Sequence, residues 1–471
     1  MRRREILGIP IAVLVGLPAS KVSAETPEAD IDAFLEAASA NKRRAAEAQA
    51  KIAAGWRDAD AALLVDLLDI VERTRDLNRH AFAPPERLVK FLEEQTGQAF
   101  GDDLKLWREW IWSLPYAPHP NYGEFKGRLY AMLDPRYVVF FRSSARPKIR
   151  LDEIAWGGVS INGIPPLDHP KHVGASDASY LDAGDVVFGF FLDGVARAYP
   201  RRILGWHELA LDRVGDRELA IVYCPLCGSV IPFDARAGGR VLTFGTSGLL
   251  YRSNKLMFDQ ETASLWSSLT GEPVVGPLVQ LDLKLQALPV VTTTWGAWRA
   301  RHPETEVLSL DTGYQRDYSE GAAYRAYFAT DDLMFDVSPR DGRLPNKAEV
   351  LVVRSTSAAF AGLAAAPARP FAIAAALLRE HPVFHATVDG TEIVVVTATG
   401  GASRVYAAGE HRFAETDGDR TVRDTLGREW TVDEEVLQAR FDPSLHLPRL
   451  AAHRAFWFGW YAQHPDTILL D

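Results

Sequence analysis

Cysteine is scarce in this chain. Two occur in 471 residues, Cys224 and Cys227, separated by Pro225 and Leu226. So isolated a pair cannot staple a fold of this length. The apolar core must hold the structure, and the pair calls for a local explanation. Methionine is also scarce, with four in the chain, which makes Met257 noticeable. Positive charge is in deficit: the formal net charge is −10, and Lys and Arg are scattered. That excludes a nucleic-acid footprint and gives no reason to expect an anionic membrane as partner. After the first residues, no apolar run is long enough to span a bilayer. Phosphate-loop spacing and the Gly-x-Ser-x-Gly elbow are both missing. Ser247, in Gly245-Thr246-Ser247-Gly248, fits neither.

At the N-terminus, Arg2, Arg3 and Arg4 precede the apolar run Ile6 to Leu17, and Val22-Ser23-Ala24 offers small residues before Glu25. This is the layout of an export signal over residues 1–24. Arg3-Arg4-Glu5-Ile6-Leu7 also resembles the twin-arginine pattern. The expected location is periplasmic or secreted, where disulfides persist.

The fold class expected is α+β. Residues 25–148 read as an α-helical domain. Leu64, Leu67, Leu68 and Val71 recur at helical spacing within Ala61 to Leu77, and Pro84-Pro85 opens a helix that Gly97 closes. Trp107, Trp110 and Trp112 form a stripe of the kind that packs a core. From residue 149 onward, short β-branched runs alternate with turns, as in Val186 to Phe191, then Asp193-Gly194, then Val195 to Tyr199. A mixed β-rich region fits, and a doubly wound parallel sheet does not.

Two stretches repeat. Trp295-Gly296-Ala297-Trp298 with His302-Pro303-Glu304-Thr305 recurs, at a constant offset, as Trp457-Phe458-Gly459-Trp460 with His464-Pro465-Asp466-Thr467. Asp259 to Trp266 likewise resembles Asp424 to Trp430. The expectation is an internal duplication: a first half over 149–335 that carries the cysteines, and a degenerate second half over 336–471.

The Cys-Pro-Leu-Cys turn follows the strand-like run Leu219 to Tyr223 and aims two sulfurs at one point. Tetrahedral metal sites of this kind use a second such pair, which is absent here. His207 and Met257 are the nearest attractive additional ligands, with Glu208 placed to orient His207. Cys, His and Met are soft donors that suit copper, with zinc as the alternative. The same two thiols could instead exchange with disulfides, Cys224 attacking and Cys227 resolving. They could also form a structural disulfide in a non-catalytic binding module. Ser247, Arg252 and Asn254, in a Gly-bracketed stretch that runs on to Lys255, are candidate contacts for a small polar ligand.

Tyr223 to Ser229, Ser247 to Met257, Ser264-Leu265-Trp266 and Thr294 to Thr305 closely resemble the bacterial and archaeal proteins of the domain of unknown function 3179 family. So do Trp156-Gly157-Gly158-Val159 and Trp206-His207-Glu208. The resemblance covers about 150 to 471 and implies no activity; members often look exported. The Ala-rich stretch from Ala358 to Ala376 departs from the pattern. The reading is therefore an exported protein that binds copper or zinc at the cysteine turn. Thiol–disulfide exchange and a binding module stay open beside it, and its ligand or redox partner is unknown.

Overall fold

The computed structural model describes residues 30–74, 82–143, 145–353, 369–388, 390–416 and 418–471. The expected export signal and most of the Ala-rich stretch lie outside them.

Among the described residues, six α-helices come first: α1 (Ile31–Glu36), α2 (Lys42–Ala54), α3 (Ala61–Arg73), α4 (Glu86–Thr96), α5 (Leu104–Ser113) and α6 (Tyr122–Tyr130). Asn41 caps α2 through the N–H groups of Arg43 and Arg44, and Asp103 caps α5 in the same way. Gly97, at φ +69°, ends α4 in the left-handed conformation that glycine adopts freely. Every residue of α3 from Ala61 to Val71 is buried except Asp66, so α3 is the axis around which the others pack. Asp66 is answered from α6 by Lys126 at 2.8 Å and by the Tyr122 hydroxyl at 2.7 Å. The apolar core of these helices runs on into Leu249, Leu256, Leu265 and Val274 of the first β-sheet. Helices and sheet therefore share one core.

The remainder is β-rich. The sheet against the helices holds Ile154–Trp156, Phe244–Tyr251, Asn254–Asp259, Leu265–Ser267 and Pro273–Val275. A second sheet is built from Leu167–Asp168, Leu209–Val214, Arg217–Cys224 and Ser229–Asp234. The predicted Asp193-Gly194 hairpin forms, with φ of +50° and +83° at its two turn residues. α7 (Arg201–His207), α8 (Trp295–Arg301), α9 (Arg325–Phe328), α10 (Ala375–Glu380) and α11 (Trp457–Gln463) punctuate the strands. An eight-stranded sheet spans Val383 to Leu450.

Two further sheets have the same connectivity. In one, Val186–Leu192 lies antiparallel between Val291–Thr294 and Val195–Pro200, and the latter pairs in parallel with Glu306–Leu308. In the other, Glu349–Val353 lies antiparallel between Ala452–Phe456 and Phe371–Ala374, and the latter pairs in parallel with Ile468–Leu470. Among the described residues, His172–Gly174 adds a further antiparallel strand beside Glu306–Leu308 in the first of these two sheets only. The helices that lead into the parallel strands, α8 and α11, carry matching ring contacts. Trp298 with His302 and Trp460 with His464 each have centroids 4.2 Å apart at 42°.

Candidate functional site

The cysteine turn is the tip of a hairpin. Arg217–Cys224 pairs with Ser229–Asp234, and Cys224 lies opposite Ser229. Pro225 and Leu226 make the reversal. The Cys227 N–H donates to the Cys224 carbonyl at 3.2 Å, and Gly228 leaves the turn at φ +58°. Cys224 is 2 % exposed and Cys227 fully buried. Neither is in a disulfide.

The tip is seated by distant parts of the chain. The Phe456 N–H donates to the Cys227 carbonyl at 2.7 Å. A Cβ placed on Gly459 of α11 would lie 2.9 Å from the Cys227 sulfur, so only glycine fits there without displacement. The Tyr327 hydroxyl donates to the Leu226 carbonyl at 2.8 Å. The Ser253 carbonyl faces both sulfurs, 3.4 Å from Cys227 Sγ and 3.9 Å from Cys224 Sγ.

The thiols are not equivalent. Burial pushes the Cys224 thiol up, but hydrogen bonds from the Cys227 thiol and from the Lys255 and Cys227 backbone outweigh it. Its pKa falls below the ordinary thiol value. Cys227 goes well above it, first because it donates to Cys224 and then because it is buried, although the Asn254 side chain works the other way. Hydrogen bonding thus favours the thiolate on Cys224 over Cys227.

Beside Cys224 lies a cavity of about 60 Å³ lined by Glu208, Lys255, Tyr324, Leu250 and Phe335, among others. Glu208 sits at φ +57° at the end of α7. Its carboxylate takes the Tyr324 hydroxyl at 2.7 Å and lies 3.4 Å from Lys255 Nζ, which also donates to the Glu208 carbonyl at 3.0 Å. Burial lowers the Lys255 pKa against the pull of Glu208 and Cys224. Thiol, amine, carboxylate and phenol thus meet in a small, mostly apolar chamber.

The structure brings Cys224, Cys227, Glu208 and Asn254 together. Asn254 Oδ1 accepts from Ser268 at 3.0 Å, and its buried amide nitrogen has no conventional partner among the described residues. It does not assemble the four-ligand soft-metal set. Both ring nitrogens of His207 are engaged, Nδ1 with the Pro165 carbonyl at 2.9 Å and Nε2 with the Tyr318 hydroxyl at 2.6 Å. Met257 packs with Trp266 and Trp457, in a different apolar cluster from the cysteines. Among the described residues, no three His, Cys, Asp or Glu side chains converge as metal ligands. Cys224, Cys227, His207 and Met257 therefore do not fit a four-coordinate copper or zinc ion.

The Gly-bracketed stretch folds otherwise than as a ligand-cradling loop. It is a β-hairpin with a bulge between Thr246 and Leu249 and a turn at Arg252 and Ser253. Ser247 staples the bulge, donating to the Leu256 carbonyl at 2.5 Å and accepting from the Leu249 N–H at 3.0 Å. Arg252 ties the turn to Glu153 and to the Ala462 carbonyl at the end of α11. Its guanidinium is spent on the scaffold. Lys255, Tyr324 and Gly459 were not among the expected site residues. Gly459 had one signal in the sequence: it is the glycine between the aromatics of the repeated motif, where the first copy has Ala297.

None of the helices among the described residues is long and apolar enough to cross a membrane. No curated protein and no solved structure matches the chain. One family model does, over residues 161–467, a span that includes the hairpin tip, Glu208, Lys255, Tyr324 and Gly459. The chain belongs to that family, described as a protein of unknown function, DUF3179.

Proposed function

We propose that the Cys224–Cys227 pair is a dithiol–disulfide redox centre in an exported protein, with Cys224 as the attacking thiolate. The observation that carries this is geometric: two free thiols converge at one hairpin tip, 3.4 and 3.9 Å from the Ser253 carbonyl, and Cys224 lines the chamber shared with Lys255 and Glu208. The hydrogen bonding that favours the thiolate on Cys224 agrees with it. In the proposed reaction the Cys224 thiolate attacks one sulfur of a substrate disulfide, which forms a mixed disulfide and releases a thiolate. Cys227, once deprotonated, attacks the Cys224 sulfur and releases the second substrate thiolate. The protein is left oxidised and the substrate reduced by two electrons. The chamber's size supports a small substrate or a short side chain that reaches in. The repeated motif and the shared sheet connectivity support an origin of the β-rich region by internal duplication, with the redox pair in one copy only.

The second reading is copper held as the monovalent ion by the two sulfurs alone. The convergence of both thiols in an apolar cluster supports it. Incubating the Cys227→Ser variant with a small aromatic disulfide, followed by intact mass measurement, separates the readings. A mixed disulfide on Cys224 that the wild type resolves to an internal disulfide is the expected result. An unreactive pair that instead retains one copper(I) per chain against a chelator would establish the second reading.

A further inference from the structure

The tip of the cysteine hairpin has a counterpart in the second half. Strands Thr391–Thr397 and Ser403–Ala407 form a hairpin whose Ala398 to Ala402 occupies the place of Cys224 to Gly228. The two tips are seated reciprocally. Cys227 rests on Gly459 of α11, and Gly400 rests on α8, where an added Cβ would lie 2.5 Å from Ala297 Cβ. The Thr293 hydroxyl donates to the Gly400 carbonyl at 3.1 Å, as the Phe456 N–H does to Cys227.

The surroundings of this second tip are built for charge. Glu434 is 5 % exposed and is bonded by Arg301 at 2.8 Å, by Arg404 at 3.0 and 2.5 Å, and by Arg449 at 2.6 Å. His302 stands 3.2 Å away. One carboxylate faces three guanidinium groups, so positive charge is in excess. Asp419, whose Oδ1 accepts from the Thr399 N–H and hydroxyl, also lines the cavity and offsets one of these charges; with Arg420 counted, four guanidinium groups still face two carboxylates. Between this cluster and α8 lies a cavity of about 530 Å³, whose walls include Arg301, Arg404, Arg420, Thr399 and Ala300. Arg404 is 2 % exposed, yet its Nη1 makes no hydrogen bond among the described residues. Arg420 spends one terminal nitrogen on the Ala300 and Arg301 carbonyls at 2.9 Å, and its other donors are free among the described residues. Arg404 Nη1 is not one of the buried, unpartnered atoms, so it is open to the cavity it lines, and a cavity of this size suits a small organic ligand.

We propose that this cavity binds a small organic anion whose carboxylate or phosphate group is gripped by Arg404 and Arg420. The site is separate from the thiol pair and does not rest on its redox reading. Calorimetric titration of the full chain with succinate, and separately with inorganic phosphate, at fixed ionic strength in chloride, tests it. Saturable binding of either is expected, and whichever binds identifies the acidic group recognised. Arg404→Gln should weaken that binding about tenfold or more, the loss of a charge-assisted bond. Ala300→Glu, at an exposed helix position on the cavity wall, should abolish it without touching the core, and it decides the matter should Arg404→Gln not fold. Neither anion binding above chloride, or binding unchanged in Ala300→Glu, would overturn the proposal.

Discussion

Replacing Cys227 by Ala removes the one thiol that donates to Cys224. In the wild type, burial drives Cys224 up while three hydrogen bonds, the largest from Cys227, bring it below the ordinary value. A hydrogen bond to a charged group contributes about 1.5–3 kcal/mol, which corresponds to roughly one to two pH units. With that bond gone, burial and the Glu208 carboxylate prevail, and Cys224 should titrate above an ordinary thiol. At neutral pH the thiolate population should fall about 10- to 100-fold. Cys227→Ser keeps a donor and should sit between the two. The thiolate's ultraviolet absorbance, followed against pH, reads the change without requiring a reagent to reach a buried sulfur. A Cys224 titration that stays in place in Cys227→Ala would refute the reasoning, because the asymmetry would then have another source.

Three further outcomes follow from packing and charge. Gly459→Ala should destabilise the protein by about 1–3 kcal/mol despite alanine's better helix propensity, since its methyl would meet the Cys227 sulfur; a urea midpoint at or above wild type would contradict this. Lys255→Met leaves the buried Glu208 carboxylate with the Tyr324 hydroxyl as its one partner among the described residues and should cost about 3–5 kcal/mol. Adding Glu208→Gln should recover much of that loss, and absence of recovery in denaturant melts would show that the two groups are not coupled. Asp212 is held down to about 2 against an ordinary 3.8, because hydrogen bonds and charge from His172, Tyr199 and Arg197 outweigh burial. A depressed carboxylate contributes stability above its unfolded pKa and loses it as pH falls through the folded one. The window is therefore about pH 4 down to 2, and the contribution about 2 kcal/mol. Asp212→Asn should flatten that part of the stability–pH curve as followed by circular dichroism.

Much of the fold was legible because it is written locally. The spacing of Leu64, Leu67, Leu68 and Val71, the proline pair before α4 and the Asp193-Gly194 turn each act within a few residues. The shared core of helices and first sheet was not legible, since Leu249 and Leu256 show no mark of what they pack against. The site divides the same way. Cys224 and Cys227 declare themselves, and Glu208 and Asn254 stand in the motifs around them. Tyr324 reaches Glu208 across 116 residues, and Gly459 arrives on a helix from the other half, so only the tertiary fold assembles the chamber. His207, Ser247 and Arg252 look available in the sequence because their residue types permit ligation or binding. His207 is instead consumed by Pro165 and Tyr318, and Arg252 by Glu153 and Ala462, all from distant segments, while Ser247 is consumed within its own hairpin by Leu256. The Gly-rich stretch misled for a related reason. Gly248, at φ +76°, serves a β-bulge rather than an anion cradle.

The central claim is that Cys224 and Cys227 cycle between dithiol and disulfide. Equilibrating the protein across glutathione redox buffers, trapping with acid and counting free thiols by mass tests it most directly. The account predicts a single reversible two-electron transition, lost in Cys224→Ser and in Cys227→Ser. A pair that stays fully reduced, or fully oxidised, across the whole range of buffers would contradict it.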